Sequence, residues 1–284
     1  MSYGPVFVMG AGRAGTSLAR ALGAAGVEIA GLHGRRNPGG PDHVTVGALP
    51  PALRRANVVI VAVRDSQLDA AFRELLEAGA ARGAVVLHAS GSTEPAMLDT
   101  VRAAGHPAGT FHPLVPLADP ALASQALRGA YVGIDGDYGA RACSRALAAS
   151  LGAHVLEIPA GARAAYHAAA VIASNFPVVL LATAERVLRE AGVQPEDAAG
   201  AARALQRQAV QNLEGRDAAS ALTGPIVRGD AETVAKHVQA LQSDPEALAV
   251  YATLSRAMLA LAADAGAPGE GVAEIRAILD RLLC

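Results

Sequence analysis

Tryptophan is absent from the 284 residues, and aromatic side chains make up only 3% of them. That scarcity argues against a stacking surface for single-stranded nucleic acid. Cysteine is nearly absent too. Cys143 and Cys284 form no spacing motif, so no zinc site is expected and a reducing, cytoplasmic setting is. Charged residues amount to 18% and the net charge is −2, which gives no reason to expect nucleic acid or an anionic membrane as partner. There is no fixed-period repeat. The apolar PVFVMGAG near the start lacks a basic leader and is too short for a signal core. The longest apolar run, Ala168 to Ala184, is interrupted by Ser174, Asn175 and Pro177, and is not read as membrane-spanning.

What is abundant is aliphatic surface. Apolar residues reach 52%, and the length exceeds what one core usually serves, so two domains are expected. Short apolar runs at Val6–Met9, Val27–Leu32, Val58–Val63, Val85–His88, Ala108–Phe111, Tyr131–Ile134 and His154–Ile158 read as strands. Helical patterns lie between several of them, at Ala14–Ala25, Gln67–Ala78, Glu94–Ala104 and Ala140–Leu151. This alternation predicts an α/β domain, a doubly wound, mostly parallel sheet with helices on both faces. After Pro159 strand signals stop, and helical windows follow near 163–191, 196–213, 230–242, 246–264 and 270–283. The expected division is therefore a dinucleotide-binding domain over 1–158 and an all-α domain over 159–284. So much apolar surface also predicts a homodimer formed through the helical domain.

Residues 8–20 read VMGAGRAGTSLAR, in which Gly10, Gly12 and Gly15 fit G-x-G-x-x-G between a strand and a helix. Gly10 permits the tight turn, and Gly12 lets backbone approach a pyrophosphate. Gly15 lets helix and strand pack closely, and the free N–H groups around Arg13 and Ala14 face the anion. After the second strand, GLHGRRNPGG (31–40) holds no carboxylate for a ribose 2′-OH. It offers Arg35 and Arg36, with His33 nearby, and a guanidinium fork suits a 2′-phosphate. The expected cofactor is NADP(H).

Ligands on open α/β sheets lie beyond the C-terminal strand ends. There the sequence places Val63 and Arg64, with Asp65 and Ser66; Ser90 and Ser92; and His112 followed by Pro113. Val63, Arg64 and Ser90 are expected to line the cofactor, and His112 the substrate. Ser92 or Thr93, before Glu94 and Pro95, reads equally as a helix cap.

The stretch YHAAAVIASNFP (166–177) begins just after the last strand. On a helical wheel Ser174 falls about 20° and Asn175 about 80° from His167, so the three share one side. Pro177 cannot donate to the Ala173 carbonyl and bends the helix there. The expectation is a helix that walls an inter-domain cleft, with His167 as general acid, Asn175 polarising the reacting group and Ser174 binding substrate. In LTGPIVRGD (222–230), Asp230 is a helix cap and Arg228 is either a clamp for a substrate carboxylate or a structural partner of Asp230.

The order GAGRAG, HASGS, TFHPLVP, YHAAAVIASNF and ALTGPIVRGD resembles a bacterial family with a Rossmann-like domain joined to a C-terminal helical domain of unknown function. That family is similar in layout to pyrroline-5-carboxylate reductase, prephenate dehydrogenase, the β-hydroxyacid dehydrogenases and ketopantoate reductase. The resemblance implies NADP(H) along the sheet and a helical domain of the 6-phosphogluconate dehydrogenase C-terminal kind. In β-hydroxyacid dehydrogenases and ketopantoate reductases a Lys on the linking helix is the general acid. Here that helix has no Lys, and His167 and Asn175 stand in those approximate places. The implied activity is hydride transfer to or from a small carboxylate-bearing substrate, a ketopantoate-like 2-keto or hydroxy acid or a cyclic imine. A non-catalytic NADP-binding sensor and an NAD-linked prephenate-type dehydrogenase are the alternatives. No metal is expected.

Overall fold

The computed structural model describes residues 3–39 and 42–282. Cys284, Gly40 of the arginine-bearing loop and the end of the 270–283 helical window lie outside the described residues. The chain divides into two compact units, Met1–Asn175 and Phe176–Cys284.

The first unit is built on β1 (Val6–Met9), β2 (Ile29–His33), β3 (Val44–Thr45), β4 (Val58–Val61), β5 (Val85–His88), β6 (Ala108–Leu114), β7 (Tyr131–Gly136) and β8 (His154–Glu157). They form one sheet in the order β3-β2-β1-β4-β5-β6-β7-β8. All neighbours are parallel except β6 and β7. Helices α1 (Arg13–Ala24), α2 (Leu68–Glu77), α3 (Asp99–Ala103), α4 (Ala123–Leu127) and α5 (Tyr138–Ser150) connect them. The strands are buried on both faces, as parallel strands under helices must be. Alternate residues serve two cores: Val6, Val8, Ile60 and Leu87 pack with Leu18, Leu22 and Leu147, while Phe7, Val59, Val61 and Val86 pack with Phe72, Leu75 and Val101.

The chain reverses direction in the sheet between β1 and β4, the switch point where such folds open a crevice. Two differences from the sequence reading matter. The two-residue β3 carries too little pattern to be read in advance. β6 also runs on through His112 and Pro113, because its antiparallel pairing with β7 places His112 opposite Gly133 and Pro113 opposite Val132. His112 therefore belongs to a strand and not to the loop beyond it.

The first unit runs on to Asn175 and includes α6 (Arg163–Ser174), which the expected division after 158 placed in the second domain. Arg163 gives the reason. Its side chain is fully buried among the sheet's polar groups. The helix start, which no side chain of its own caps, is met by the Glu94 carboxylate, which accepts from Arg163 N at 3.1 Å and Gly161 N at 3.3 Å.

The second unit is helical: α7 (Phe176–Glu190), α8 (Pro195–Gln211), α9 (Ala218–Ala221), α10 (Ala231–Ala240), α11 (Pro245–Asp264) and α12 (Gly269–Asp280). Its core is Ile226 with Val234, Ala252, Leu259, Ala262, Ile275 and Leu279. Asp230 caps α10 as expected, accepting from Thr233 N at 3.0 Å. Pro177 falls in the first turn of α7, where a missing N–H costs little.

Candidate functional site

The glycine loop between β1 and α1 has the geometry its spacing implies. Gly10 has φ of +119°, which only glycine adopts freely, and a Cβ there would strike the Ala62 carbonyl. A Cβ at Gly15 would strike the Gly10 carbonyl, so helix and strand approach as closely as glycine permits. Gly12 faces open space, with nothing within 4 Å of an added Cβ. It is the N-cap of α1, no side chain caps that helix, and Arg13 and Ala14 are exposed. An uncapped helix start beside an open glycine is a cradle for a diphosphate.

Next to this loop is a cavity of about 310 Å³ lined by Gly10, His33, Gly34, Arg35, Val63 and Gln67 among others. Arg35 and Arg36 follow β2 and are exposed. His33 is 5% exposed, and burial holds its pKa below the usual value. Its Nδ1 lies 3.0 Å from Thr45 Oγ1, which donates to the Leu32 carbonyl. This nitrogen therefore binds β3 to β2 and is not free for a ligand. Val63 is half-buried and Arg64 exposed at the end of β4.

The loop after β5 is tightly organised. Ser90 is buried, and its hydroxyl donates to Thr93 Oγ1 at 2.8 Å and accepts from Thr93 N at 3.1 Å. Its N–H donates to His88 Nδ1 at 3.2 Å. Ser90 thus shapes the loop, and its hydroxyl is already committed. Ser92 does not cap the short helix that follows. Its hydroxyl donates to Asp65 Oδ2 at 2.6 Å and ties this loop to the one after β4.

Gly91, next in that loop, is where two histidines meet. A Cβ on Gly91 would collide with His167 Nδ1 and lie 2.8 Å from His112 Nε2. The two rings meet edge to face, with centroids 5.8 Å apart. His112 Nδ1 is 2.7 Å from the Tyr166 hydroxyl. Burial, then the positive charge of Arg163 and then His167, push His112 down to about 4, so it is neutral at pH 7. His167 Nδ1 is buried with no hydrogen-bond partner among the described residues, which leaves Nε2 as the nitrogen open to chemistry.

Arg163 anchors the cluster. It pairs with Asp135, donates to the Ser90 carbonyl at 3.0 Å and the Gly91 carbonyl at 3.3 Å, and binds Thr110 Oγ1. One buried guanidinium thereby fixes the loop after β5 against the start of α6, which carries Tyr166 and His167.

The structure gathers His112 and His167 but leaves the other helix candidates apart. Ser174 and Asn175 share one side of the wheel with His167, yet they lie seven and eight residues on, about 10 and 12 Å along the axis. The Ser174 hydroxyl is 2.7 Å from the Ala170 carbonyl and 2.9 Å from the Asn175 side-chain oxygen. Asn175 is exposed. Arg228 is exposed in the second unit, with its guanidinium 4.0 Å from the Asp230 carboxylate, beyond hydrogen-bond reach. Sequence reasoning missed Arg163, Tyr166 and Gly91. Arg163 was visible as a lone cation at the head of an apolar helix, and Gly91 stands inside the HASGS stretch, which was read only for its serines.

Residues 130–258 match the model of a domain of unknown function, DUF2520, a stretch that begins in β7's approach and ends in α11. No curated protein matches the chain. Solved structures do. A candidate NADP oxidoreductase from Bacteroides fragilis is 24% identical with a TM-score of 0.69, over 89% of this chain and 97% of that one. A pyrroline carboxylate reductase from Plasmodium falciparum, solved with NADP bound, is 11% identical with a TM-score of 0.61, over 91% and 99%. An imine reductase from Myxococcus stipitatus in complex with NADP+ is 17% identical with a TM-score of 0.62, over 99% and 100%. The chain is thus a Rossmann-type α/β fold followed by a helical unit, with residues 130–258 matching DUF2520.

Proposed function

We propose that this chain is an NADP(H)-dependent oxidoreductase acting on a small carboxylate-bearing substrate, a 2-keto or hydroxy acid or a cyclic imine. The observation that carries the reading is the convergence of His112 and His167 on Gly91, in the loop after β5, on the same side of the sheet as the glycine cradle. The fit to a dinucleotide rests on this chain's own residues. Gly12 is open where Gly10 and Gly15 are crowded, and α1 starts uncapped. Arg35 and Arg36 are exposed beyond β2, where a 2′-phosphate would lie, and Glu74 lines the same cavity as Arg35 from α2. The named reductases that share the fold hold NADP in their solved structures, which supports the same cofactor here.

When bound, NADPH would supply the hydride. The protein's part is to bind, orient and move a proton. The N–H groups at the start of α1 receive the diphosphate, and Arg35 and Arg36 receive the 2′-phosphate. His112, held neutral, donates a hydrogen bond to the reacting oxygen or nitrogen and polarises it. His167, as the imidazolium, delivers the proton from Nε2 and is left as the neutral imidazole when the substrate is reduced, and it takes the proton back in the reverse direction. Arg163, too deeply buried to touch substrate, holds the geometry.

The test is an NADPH-oxidation screen against 2-keto acids and cyclic imines, repeated with His167→Ala. Turnover lost by about 100-fold or more in the variant, with NADPH affinity retained, is the expected result. No turnover across the panel, with tight NADPH binding, would favour a sensor without chemistry.

A further inference from the structure

The Tyr166 hydroxyl meets His112 Nδ1 at 2.7 Å, and neither the glycine motif nor the general-acid reading of His167 requires that contact. The sheet makes room for it. Gly133 faces His112 across β6 and β7, and a Cβ on Gly133 would collide with the Tyr166 hydroxyl. A side chain at 133 would therefore expel the phenol, so a glycine in mid-strand forms the notch that seats it.

The direction of the hydrogen bond follows from counting donors and acceptors. Burial pushes the Tyr166 phenol up to about 12, so it keeps its proton at pH 7. That proton has no acceptor other than His112 Nδ1 among the hydrogen bonds of the described residues. If His112 Nδ1 carried the hydrogen instead, the phenol O–H of the half-buried Tyr166 would face a second donor and lose its one protein acceptor among the described residues. The arrangement that satisfies both groups has Tyr166 donating and Nδ1 accepting. A neutral imidazole then carries its hydrogen on Nε2, the nitrogen beside Gly91.

We propose that Tyr166 is a positioning residue that fixes His112 as the neutral tautomer protonated on Nε2, so that His112 presents a fixed N–H, and not a lone pair, to the substrate's reacting oxygen or nitrogen. The second half rests on the reductase reading above; the tautomer itself does not. With its donor role set, His112 distinguishes an acceptor atom from a donor at the reacting position. A carbonyl or an unprotonated imine fits, and an ammonium does not.

The experiment is long-range proton–nitrogen correlation on protein labelled with nitrogen-15 histidine at pH 7.5, with His112 identified by its loss in His112→Gln. The expected wild-type pattern is a pyrrole-like shift at Nε2 and a pyridine-like shift at Nδ1. In Tyr166→Phe the two shifts should move toward averaging, while NADPH binding persists. Against any substrate found, kcat should fall about 10–100-fold with KM changing far less. A pyrrole-like Nδ1 in the wild type, or an unchanged tautomer in Tyr166→Phe, would overturn the proposal. If Tyr166→Phe does not fold, the wild-type spectrum decides alone. A fixed Nε2 tautomer in a protein with no turnover would leave the positioning intact and sink only the reductase.

Discussion

Arg163 and Asp135 form an ion pair sealed inside the first unit, with side-chain exposures of 0% and 9%. A buried pair is held by mutual need more than by net gain: removing one partner strands the other in low dielectric. Arg163→Met should therefore destabilise the chain by about 3–5 kcal/mol in urea unfolding, since Asp135 would be left buried without its partner. Replacing both, with Asp135→Leu added, should recover part of that loss. A single variant within about 1 kcal/mol of wild type would show that α6 is not anchored by this pair.

Arg35 and Arg36 are exposed beyond β2, and Arg35 shares its cavity with Glu74. Changing both to Ser should weaken NADPH binding by about 100-fold or more and leave NADH binding little changed, because each of two charge-assisted contacts to a phosphate contributes about 1.5–3 kcal/mol. Fluorescence titration with both cofactors measures this. An unaltered preference would remove the arginines from the site.

Most of the sheet was legible because parallel strands buried on both faces leave unbroken apolar runs, and VFVM, VVIV and VVLH are such runs. The glycine loop was legible because its chemistry is local. The histidine cluster was only half legible. His112 and His167 are 55 positions apart, and their meeting depends on β6 pairing antiparallel with β7 and on Arg163 drawing α6 onto the sheet. Neither event leaves a periodic trace. The helical wheel also misled in one respect: it shows angle and hides rise, so it grouped Asn175 with His167 although two turns separate them.

A buried and a half-buried histidine give the fold a pH limit. Burial first, and then the charge of Arg163, push His88 down to about 3; the same causes together with His167 push His112 to about 4. In the unfolded chain both titrate near 6.5. Above that pH neither state is protonated and the folded state keeps its full advantage. As pH falls from about 6.5 toward 4, the unfolded chain binds protons that the folded chain refuses, so stability is lost. The slope is up to about 1.4 kcal/mol per pH unit for the fully buried His88 and less for the partly exposed His112. Urea midpoints at pH 7.5, 6.5, 5.5 and 4.5 should fall steadily through the last three. His88→Leu should flatten the series by its share, and an identical slope in that variant would contradict the assignment.

The apolar side chains of the helical unit are the surface that remains to be covered. α7 has no buried residue, and Val178 is 65%, Val179 56%, Leu205 74% and Val210 61% exposed. Beside them a groove of about 770 Å³ is lined by Leu181, Leu188, Leu205, Tyr251 and Met258 among others. The stretch Arg163–Glu190 is long and apolar enough to cross a membrane by length and composition, as is Pro245–Asp264. Yet the first of these begins at a guanidinium buried against Asp135, and α11 supplies the core residues Ala252, Leu259 and Ala262. Contiguous apolar faces of this extent mark association surfaces. We propose that a second copy of this chain covers them, since two-fold association would bury the same apolar face on both copies. Light scattering after gel filtration should give twice the chain mass of 28.6 kDa. Val178→Glu with Leu205→Glu should give the single-chain mass while leaving NADPH binding by the first unit in place, because neither side chain belongs to that unit. A wild-type protein that remains a monomer at micromolar concentration, or a doubly substituted one that still forms the dimer, would show that this face has another use.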